Sequence, residues 1–96
     1  MKVKDVLIVD DHMVTRTGLK VLLQDIKGGL QIHEAEDGDG FLEILKARHI
    51  DLAIMDLQLP NTDTIGLIEY MSIRYPHTYA LVFSMLRAPS AVPFSA

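Results

Sequence analysis

Short apolar runs that end in a polar residue constrain the fold of this chain more than any other feature. Three such runs occur: residues 6–9 are followed by Asp10 and Asp11, residues 52–55 of a strand predicted over 51–55 are followed by Asp56, and residues 79–83 are followed by Ser84. Uninterrupted apolar runs of this length are typical of strands buried on both faces, as in parallel sheets. A more polar run at residues 31–36 predicts a weaker strand at a sheet edge.

Amphipathic segments separate these runs. Apolar side chains recur at helical spacing over residues 13–27, 41–45 and 65–71, with Gly28-Gly29 and Pro76 as stop signals. This alternation predicts a parallel sheet with right-handed crossovers and helices on both faces. We therefore expect one α/β domain in residues 1–84 and an irregular tail in residues 85–96, where two prolines interrupt any period.

The amino-acid composition excludes several classes of protein. The chain has 96 residues, 49% of them hydrophobic, so it forms a single core. A net charge of −4 with dispersed Lys and Arg argues against direct contact with nucleic acid. The absence of Cys excludes disulfides and thiolate metal sites. The first apolar run is too short for a signal peptide or a membrane span, so we expect a soluble cytoplasmic protein.

The polar residues that end the strands are the candidates for chemistry. Ligands of open parallel sheets bind at the carboxyl ends of the strands. If the first and third strands are neighbours, Asp10, Asp11 and Asp56 lie close together, and their repulsion favours a hard cation such as Mg²⁺ or Mn²⁺. Local roles are the alternative: Asp10 or Asp11 caps the next helix, and Asp56 shapes the turn before Pro60.

Two other sequence patterns are weaker candidates for metal sites. The run Asp37-Gly38-Asp39-Gly40 is similar to the start of a calcium loop, but Phe41 stands at the fifth position and Arg48 at the twelfth, so a turn and helix start are expected. The four histidines, at positions 12, 33, 49 and 77, lack the spacing of metal ligands on a helix and are expected on the surface or in loops.

Residues 6–12, 16–19, 51–60 and 81–84 together resemble the receiver domain of two-component response regulators. The Asp-Asp-His and Arg-x-Gly-Leu patterns resemble the branch whose receivers precede a LuxR/NarL-type helix-turn-helix domain. The resemblance covers roughly residues 4–84. It implies a flavodoxin-like sheet with strand order 2-1-3-4.

The resemblance also implies roles for site residues. Asp56 is the expected phosphoacceptor, and a sensor histidine kinase is the expected donor. Asp10, Asp11, Asp56 and the backbone carbonyl of Gln58 are the expected Mg²⁺ ligands, and Ser84 is expected to contact the phosphoryl group. A haloacid dehalogenase phosphatase also uses a strand-end Asp, but its second Asp is replaced by Gln58, so no enzyme is expected.

The sequence departs from the family pattern in two places. Thr64 replaces a usual glycine, which predicts altered backbone angles in the loop after Pro60. A complete receiver also has a fourth helix, a fifth strand with a Lys, and a fifth helix, for which this chain has no counterpart before Ala96. We therefore expect impaired phosphorylation. The alternatives are a non-catalytic dimerisation or interaction module, or a truncated receiver remnant.

A homodimer is the last expectation. With the fourth strand at the sheet edge, its apolar residues lack a neighbouring strand. The apolar stripe of the first helix is also wider than one sheet face requires. We expect a second copy to cover the fourth strand and the first helix.

Overall fold

Strands and helices alternate along residues 2–84, which the computed structural model describes. The elements are β1 (Asp5–Val9), α1 (Met13–Ile26), β2 (Gln31–Ala35), α2 (Gly38–Ala47), β3 (Leu52–Asp56), α3 (Thr64–Arg74) and β4 (Tyr79–Phe83). The predicted alternation is confirmed. β3 begins and ends one residue later than predicted, so Asp56 is the last residue of the strand. The tail predicted for residues 85–96 lies outside the described residues.

The four strands form one parallel sheet in the order β2-β1-β3-β4, as predicted. β1 lies inside the sheet, and its residues from Val6 to Val9 are at most 1% exposed. Val9 pairs with Met55 of β3. The residues that follow this pair, Asp10 and Asp56, are therefore brought side by side at the carboxyl edge.

Apolar side chains pack on both faces of the sheet. On one face, Leu7, Val9, Ala53 and Met55 pack with side chains of α2 and α3, among them Phe41, Leu45 and Met71. On the other face, Val6, Ile8 and Ile54 pack against Leu19 and Leu23 of α1. The sheet is thus covered by helices on both sides, and its carboxyl edge stays open for a site.

Two aspartates cap the helices that border this edge. Asp37 accepts a hydrogen bond from the Gly40 N–H at 2.8 Å, and Asp63 accepts one from the Gly66 N–H at 3.0 Å. Asp37 therefore starts α2, as the helix interpretation predicted, and does not begin a calcium loop.

The loop between β3 and α3 has one left-handed residue, and it is not Thr64. Asn61 has φ 51°, a conformation that Asn tolerates better than most side chains. Thr64 is buried and is the first residue of α3. The change in backbone angles expected from Thr64 is therefore not found at Thr64 itself.

Apolar side chains remain exposed on β4 and α1. On β4, Tyr79 is 58% and Leu81 55% exposed. On α1, the exposed apolar residues are Met13, Val14, Val21, Leu22 and Ile26. Within residues 2–84 β4 pairs only with β3, and both surfaces agree with the edge strand and the wide helix stripe expected from the sequence. Within residues 2–84, no helix has the length and apolar content needed to cross a membrane.

Candidate functional site

Three carboxylates and one imidazole meet at the carboxyl edge of β1 and β3. Asp10, Asp11, His12 and Asp56 each contribute one ligand atom, and these atoms all lie within 4.8 Å of one another. Adjacent parallel strands place Asp10 and Asp56 together, and the turn after β1 adds the other two. The predicted proximity of the three acids is present in the structure.

Asp10 is completely buried and held through its backbone. Its N–H donates to the Ala35 carbonyl at 3.1 Å, and its carbonyl accepts from Arg16 Nη1. Its Oδ1 accepts from the His12 N–H at 2.8 Å. Its Oδ2 is buried and has no hydrogen-bond partner among the described residues. One carboxylate oxygen is thus fixed and the other is free.

Asp56 has the same division between its two oxygens. Its Oδ1 accepts from the Gln58 N–H at 2.9 Å, and its Oδ2 is buried without a hydrogen-bond partner in the described part of the chain. The residue is 1% exposed. A carboxylate oxygen removed from water without a partner is destabilising unless a cation or donor reaches it.

Asp11 and His12 form the more open side of the cluster. His12 Nδ1 lies 3.1 Å from one oxygen of Asp10 and 3.1 Å from one oxygen of Asp11. Sequence analysis did not place His12 in the site. Its position in the sequence, directly after two acids at a strand end, could have indicated that it belongs to the site.

The local alternatives for the acids hold only in part. The N-cap residue of α1 is His12, whose side chain makes no capping hydrogen bond, and Asp10 accepts the N–H of His12 and no N–H within the helix among the described contacts. Asp56 does shape a turn, through its bond to the Gln58 N–H. That bond involves only one oxygen of Asp56. The turn therefore does not explain why the other carboxylate oxygen is buried without a hydrogen-bond partner among the described residues.

The residues present fit a hard divalent cation. Asp10 Oδ2 and Asp56 Oδ2 are buried oxygens without hydrogen-bond partners among the described residues, and the buried Asp11 Oδ1 lies 3.1 Å from His12 Nδ1. Carboxylate oxygens are the ligands that Mg²⁺ and Mn²⁺ prefer. Three neighbouring carboxylates also repel one another unless positive charge is added.

Gln58 and Ser84 lie beside this cluster on neighbouring chain segments. Gln58 is exposed in the loop after β3 and is tied to Asp56 through its N–H. Ser84 is exposed and directly follows Phe83, which pairs with Asp56 in the sheet register. Both residues are thus at the expected edge, and their ligand roles remain predictions.

Arg16 is a buried residue beside the site, and sequence analysis used it in the family resemblance without assigning it a role. It is 7% exposed and donates through Nε to Glu34 Oε1 at 2.9 Å, besides its bond to the Asp10 carbonyl. A signal was available: Arg16 falls at helical spacing with Leu19 and Leu23, which line the inner face of α1.

Two other histidines pair with acids elsewhere in the fold. His33 Nε2 is 3.1 Å from Asp5, and His49 Nε2 is 2.8 Å from Asp51. His33 is a residue of β2 and is partly buried, so the expectation of surface or loop positions was wrong for it.

Comparison with known proteins places these observations in a family. Residues 6–93 match the family model of the response regulator receiver domain. Fimbriae Z protein of Salmonella typhimurium (strain LT2) is 31% identical over 84 residues, which are 88% of this chain and 40% of that protein. Aerobic respiration control protein ArcA of Escherichia coli (strain K12) is 36% identical over 83 residues, 86% of this chain and 33% of that protein.

A solved structure is also similar. The isolated REC domain of RcsB from Salmonella enterica serovar Typhimurium, in the presence of phosphomimetic BeF₃⁻, has a TM-score of 0.79 at 27% identity. The match covers 92% of this chain and 66% of that chain. The chain spans at most two fifths of the length of the two curated relatives, 40% and 33%.

Proposed function

The chain belongs to the family of response regulator receiver domains, and from that premise we propose that Asp56 accepts a phosphoryl group from the phosphohistidine of a sensor histidine kinase. The observation that carries the proposal is the buried Asp56 Oδ2, which lacks a hydrogen-bond partner among the described residues and lies beside two further carboxylates. The protein acts in this proposal as a phosphoacceptor and not as an enzyme.

The proposed transfer forms one bond and breaks one. The free oxygen of Asp56 attacks phosphorus, and the bond between phosphorus and the imidazole nitrogen of the donor breaks. That nitrogen keeps the electron pair and takes up a proton, and Asp56 becomes an acyl phosphate. Positioning and charge compensation dominate such transfers, and the bond from Gln58 N–H fixes the acceptor carboxylate.

A divalent cation, Mg²⁺ in our proposal, would neutralise charge on the acceptor carboxylate and on the phosphoryl oxygens. Asp10 and Asp56 would hold it through their free oxygens, together with the carboxylate of Asp11 and the backbone carbonyl of Gln58. The backbone N–H and the carbonyl of Asp10 are both hydrogen-bonded, which fixes the position of this ligand. Ser84 would donate its hydroxyl hydrogen to a phosphoryl oxygen.

Asp56 must become accessible for transfer. It is 1% exposed, whereas its chain neighbours Leu57 and Gln58 are exposed, as is His12 of the cluster. We propose that movement of these exposed side chains opens a path to the Asp56 carboxylate.

A second copy of the chain is the other proposed partner. The exposed apolar residues Tyr79 and Leu81 of β4 and Val14 and Leu22 of α1 support a contact there. RcsB, to which the chain is similar, forms dimers that bind DNA. We propose no direct DNA contact for this chain, because its net charge is −4. A cytoplasmic location remains a prediction.

The test of the proposed function is phosphorylation in solution. The chain is incubated with acetyl phosphate and Mg²⁺, and its intact mass is measured. We expect an adduct of one phosphoryl group that is lost in Asp56→Asn and kept in the control Asp25→Asn, an exposed aspartate of α1. The absence of an adduct on the parent chain would contradict the proposal.

A non-catalytic interaction module is the second candidate function. The exposed apolar residues of β4 and α1 favour it, because they do not depend on the acidic cluster. It predicts self-association that is equal with and without Mg²⁺ and phosphodonor. The free carboxylate oxygens favour the phosphoacceptor function instead.

A further inference from the structure

Arg16 is a charged side chain that the fold removes from water. It lies in the first turn of α1 and is 7% exposed. Two of its nitrogens donate hydrogen bonds, Nη1 to the Asp10 carbonyl and Nε to Glu34 Oε1 at 2.9 Å. A buried guanidinium is retained only where such partners compensate for lost hydration.

The contacts of Arg16 tie the backbone of Asp10 to β2. Ala35 accepts the Asp10 N–H directly at 3.1 Å. Its neighbour Glu34 accepts from Arg16, which in turn donates to the Asp10 carbonyl. The N–H and the carbonyl of Asp10 are therefore both held by consecutive residues of β2, one directly and one through Arg16.

We propose that Arg16 is a positioning residue, which holds the backbone of Asp10 so that its free Oδ2 faces Asp11 and Asp56 as a cation ligand. This inference rests on the cation site of the proposed function. Arg16 itself does not touch the cation; it acts through Asp10.

Glu34 balances the positive charge of Arg16, so that Arg16 can lie near a bound cation. Its Oε2 accepts from Lys20 Nζ at 2.8 Å, and hydrogen bonds from Lys20 and then Arg16 hold the pKa of Glu34 below its ordinary value. Glu34 is thus ionised at neutral pH and balances the charge of Arg16. The guanidinium can then hold Asp10 with little repulsion of a bound cation.

A matched pair of variants separates positioning from charge. Arg16→Met and Lys20→Met each remove one positive charge bonded to Glu34, and the two residues lie one turn apart on α1. Of these two residues, Arg16 is the one that donates a hydrogen bond to Asp10. Removal of positive charge alone leaves Mn²⁺ affinity unchanged or increases it in both variants.

Positioning predicts the opposite sign for Arg16. In Mn²⁺ titrations we expect Arg16→Met to bind roughly tenfold more weakly than the parent, the usual effect of losing an outer support of a ligand. Lys20→Met should bind as tightly as the parent or more tightly. Equal or tighter binding in Arg16→Met overturns the inference.

Amide hydrogen exchange without metal gives a second readout. The His12 N–H donates to Asp10 Oδ1, so its protection reports the position of that carboxylate. If the parent binds no Mn²⁺, the proposed cation site fails, and this readout alone decides the role of Arg16. We expect Arg16→Met to speed exchange at His12 about tenfold more than at Leu7 of β1. A uniform change at both amides, or none, overturns the inference.

A third variant covers the case in which Arg16→Met does not fold. Arg16→Lys keeps the charge, but its compact ammonium cannot reproduce the planar fork that bonds Asp10 and Glu34 together. We expect Arg16→Lys to weaken Mn²⁺ binding and to speed exchange at the His12 amide, in both cases by less than Arg16→Met does. Parent-like Mn²⁺ affinity and His12 exchange in this variant would also overturn the inference.

Discussion

Asp10 and Asp56 hold their carboxylates in the same way at the carboxyl ends of neighbouring strands. In each, Oδ1 accepts a backbone N–H two residues further on, from His12 at 2.8 Å and from Gln58 at 2.9 Å. In each, Oδ2 is buried without a hydrogen-bond partner among the described residues. The two acids therefore each keep one buried, partnerless oxygen within the same cluster of carboxylates, and this is the basis of the following prediction about charge.

Asp56→Asn should stabilise the chain in metal-free buffer. The amide oxygen can still accept the Gln58 N–H, and the new NH₂ group removes repulsion with Asp10 and Asp11. We expect the Tm at pH 7 with EDTA to rise by about 5 °C, for a gain of about 1 kcal/mol. Saturating Mg²⁺ should reduce the difference, because it stabilises the parent. A lower Tm for Asp56→Asn than for the parent in EDTA would show that repulsion among the three carboxylates does not destabilise the fold.

Asp51 should make stability depend on acid pH. The N–H groups of Asp5 and then Lys4 donate to Asp51 Oδ2, at 2.8 and 2.9 Å, and hold the pKa of Asp51 below its ordinary 3.8. The stabilisation is therefore complete above pH 3.8 and is lost as the pH falls through the lower pKa of the folded state.

Thermal unfolding of Asp51→Asn measures this effect. At pH 7 we expect its Tm to lie about 5 °C below that of the parent, since two hydrogen bonds to a charged group are weakened. The difference should shrink as the pH is lowered from about 4 to about 2. Asp25→Asn is the control, with little change at either pH. A difference independent of pH would show that Asp51 acts without its charge.

Two glycines should respond in opposite ways to alanine. A Cβ at Gly18 of α1 meets no atom within 4 Å, so Gly18→Ala should raise Tm by about 5 °C through helix propensity alone. A Cβ at Gly66 would lie 2.3 Å from Asp63 Oδ2, the side chain that caps α3. Gly66→Ala should give no increase, because loss of the cap offsets the propensity. Equal stabilisation by both would mean that the Asp63 cap contributes nothing.

The proposed dimer should depend on the edge of β4. Leu81 is 55% exposed, and Leu81→Lys places a charge where a second strand would pair. We expect sedimentation at low micromolar concentration to give a dimer for the parent and a monomer for Leu81→Lys. Ile73→Lys on α3, at a residue 82% exposed, should leave the dimer intact. A monomeric parent would refute the dimer, and a dimer that persists in Leu81→Lys would refute this interface.

The sequence predicts the sheet better than the turns at its edge. The apolar run over residues 6–9 and the acid after it place Asp10 at a strand end, and the same pattern places Asp56, because burial on both faces leaves few other assignments. Strand neighbours followed from the family resemblance. The proximity of the three acids then needed no further information.

Arg16 and His12 could not be assigned in this way, because their roles depend on contacts made only in the fold. Arg16 bonds Glu34, eighteen residues further along the chain on another element. His12 reaches two carboxylates only because the turn after β1 directs its ring back toward them. The division of each carboxylate into a fixed and a free oxygen likewise depends on turn geometry that composition and periodicity do not encode.

Mapping the modified residue tests the central claim most directly. After incubation with acetyl phosphate and Mg²⁺, borohydride converts an aspartyl phosphate to homoserine, which tandem mass spectrometry locates in the digested chain. The account predicts homoserine at position 56 alone, in amounts that fall when Mg²⁺ is withheld. Homoserine at position 10 or 11, or none at position 56 with Mg²⁺ present, would contradict it.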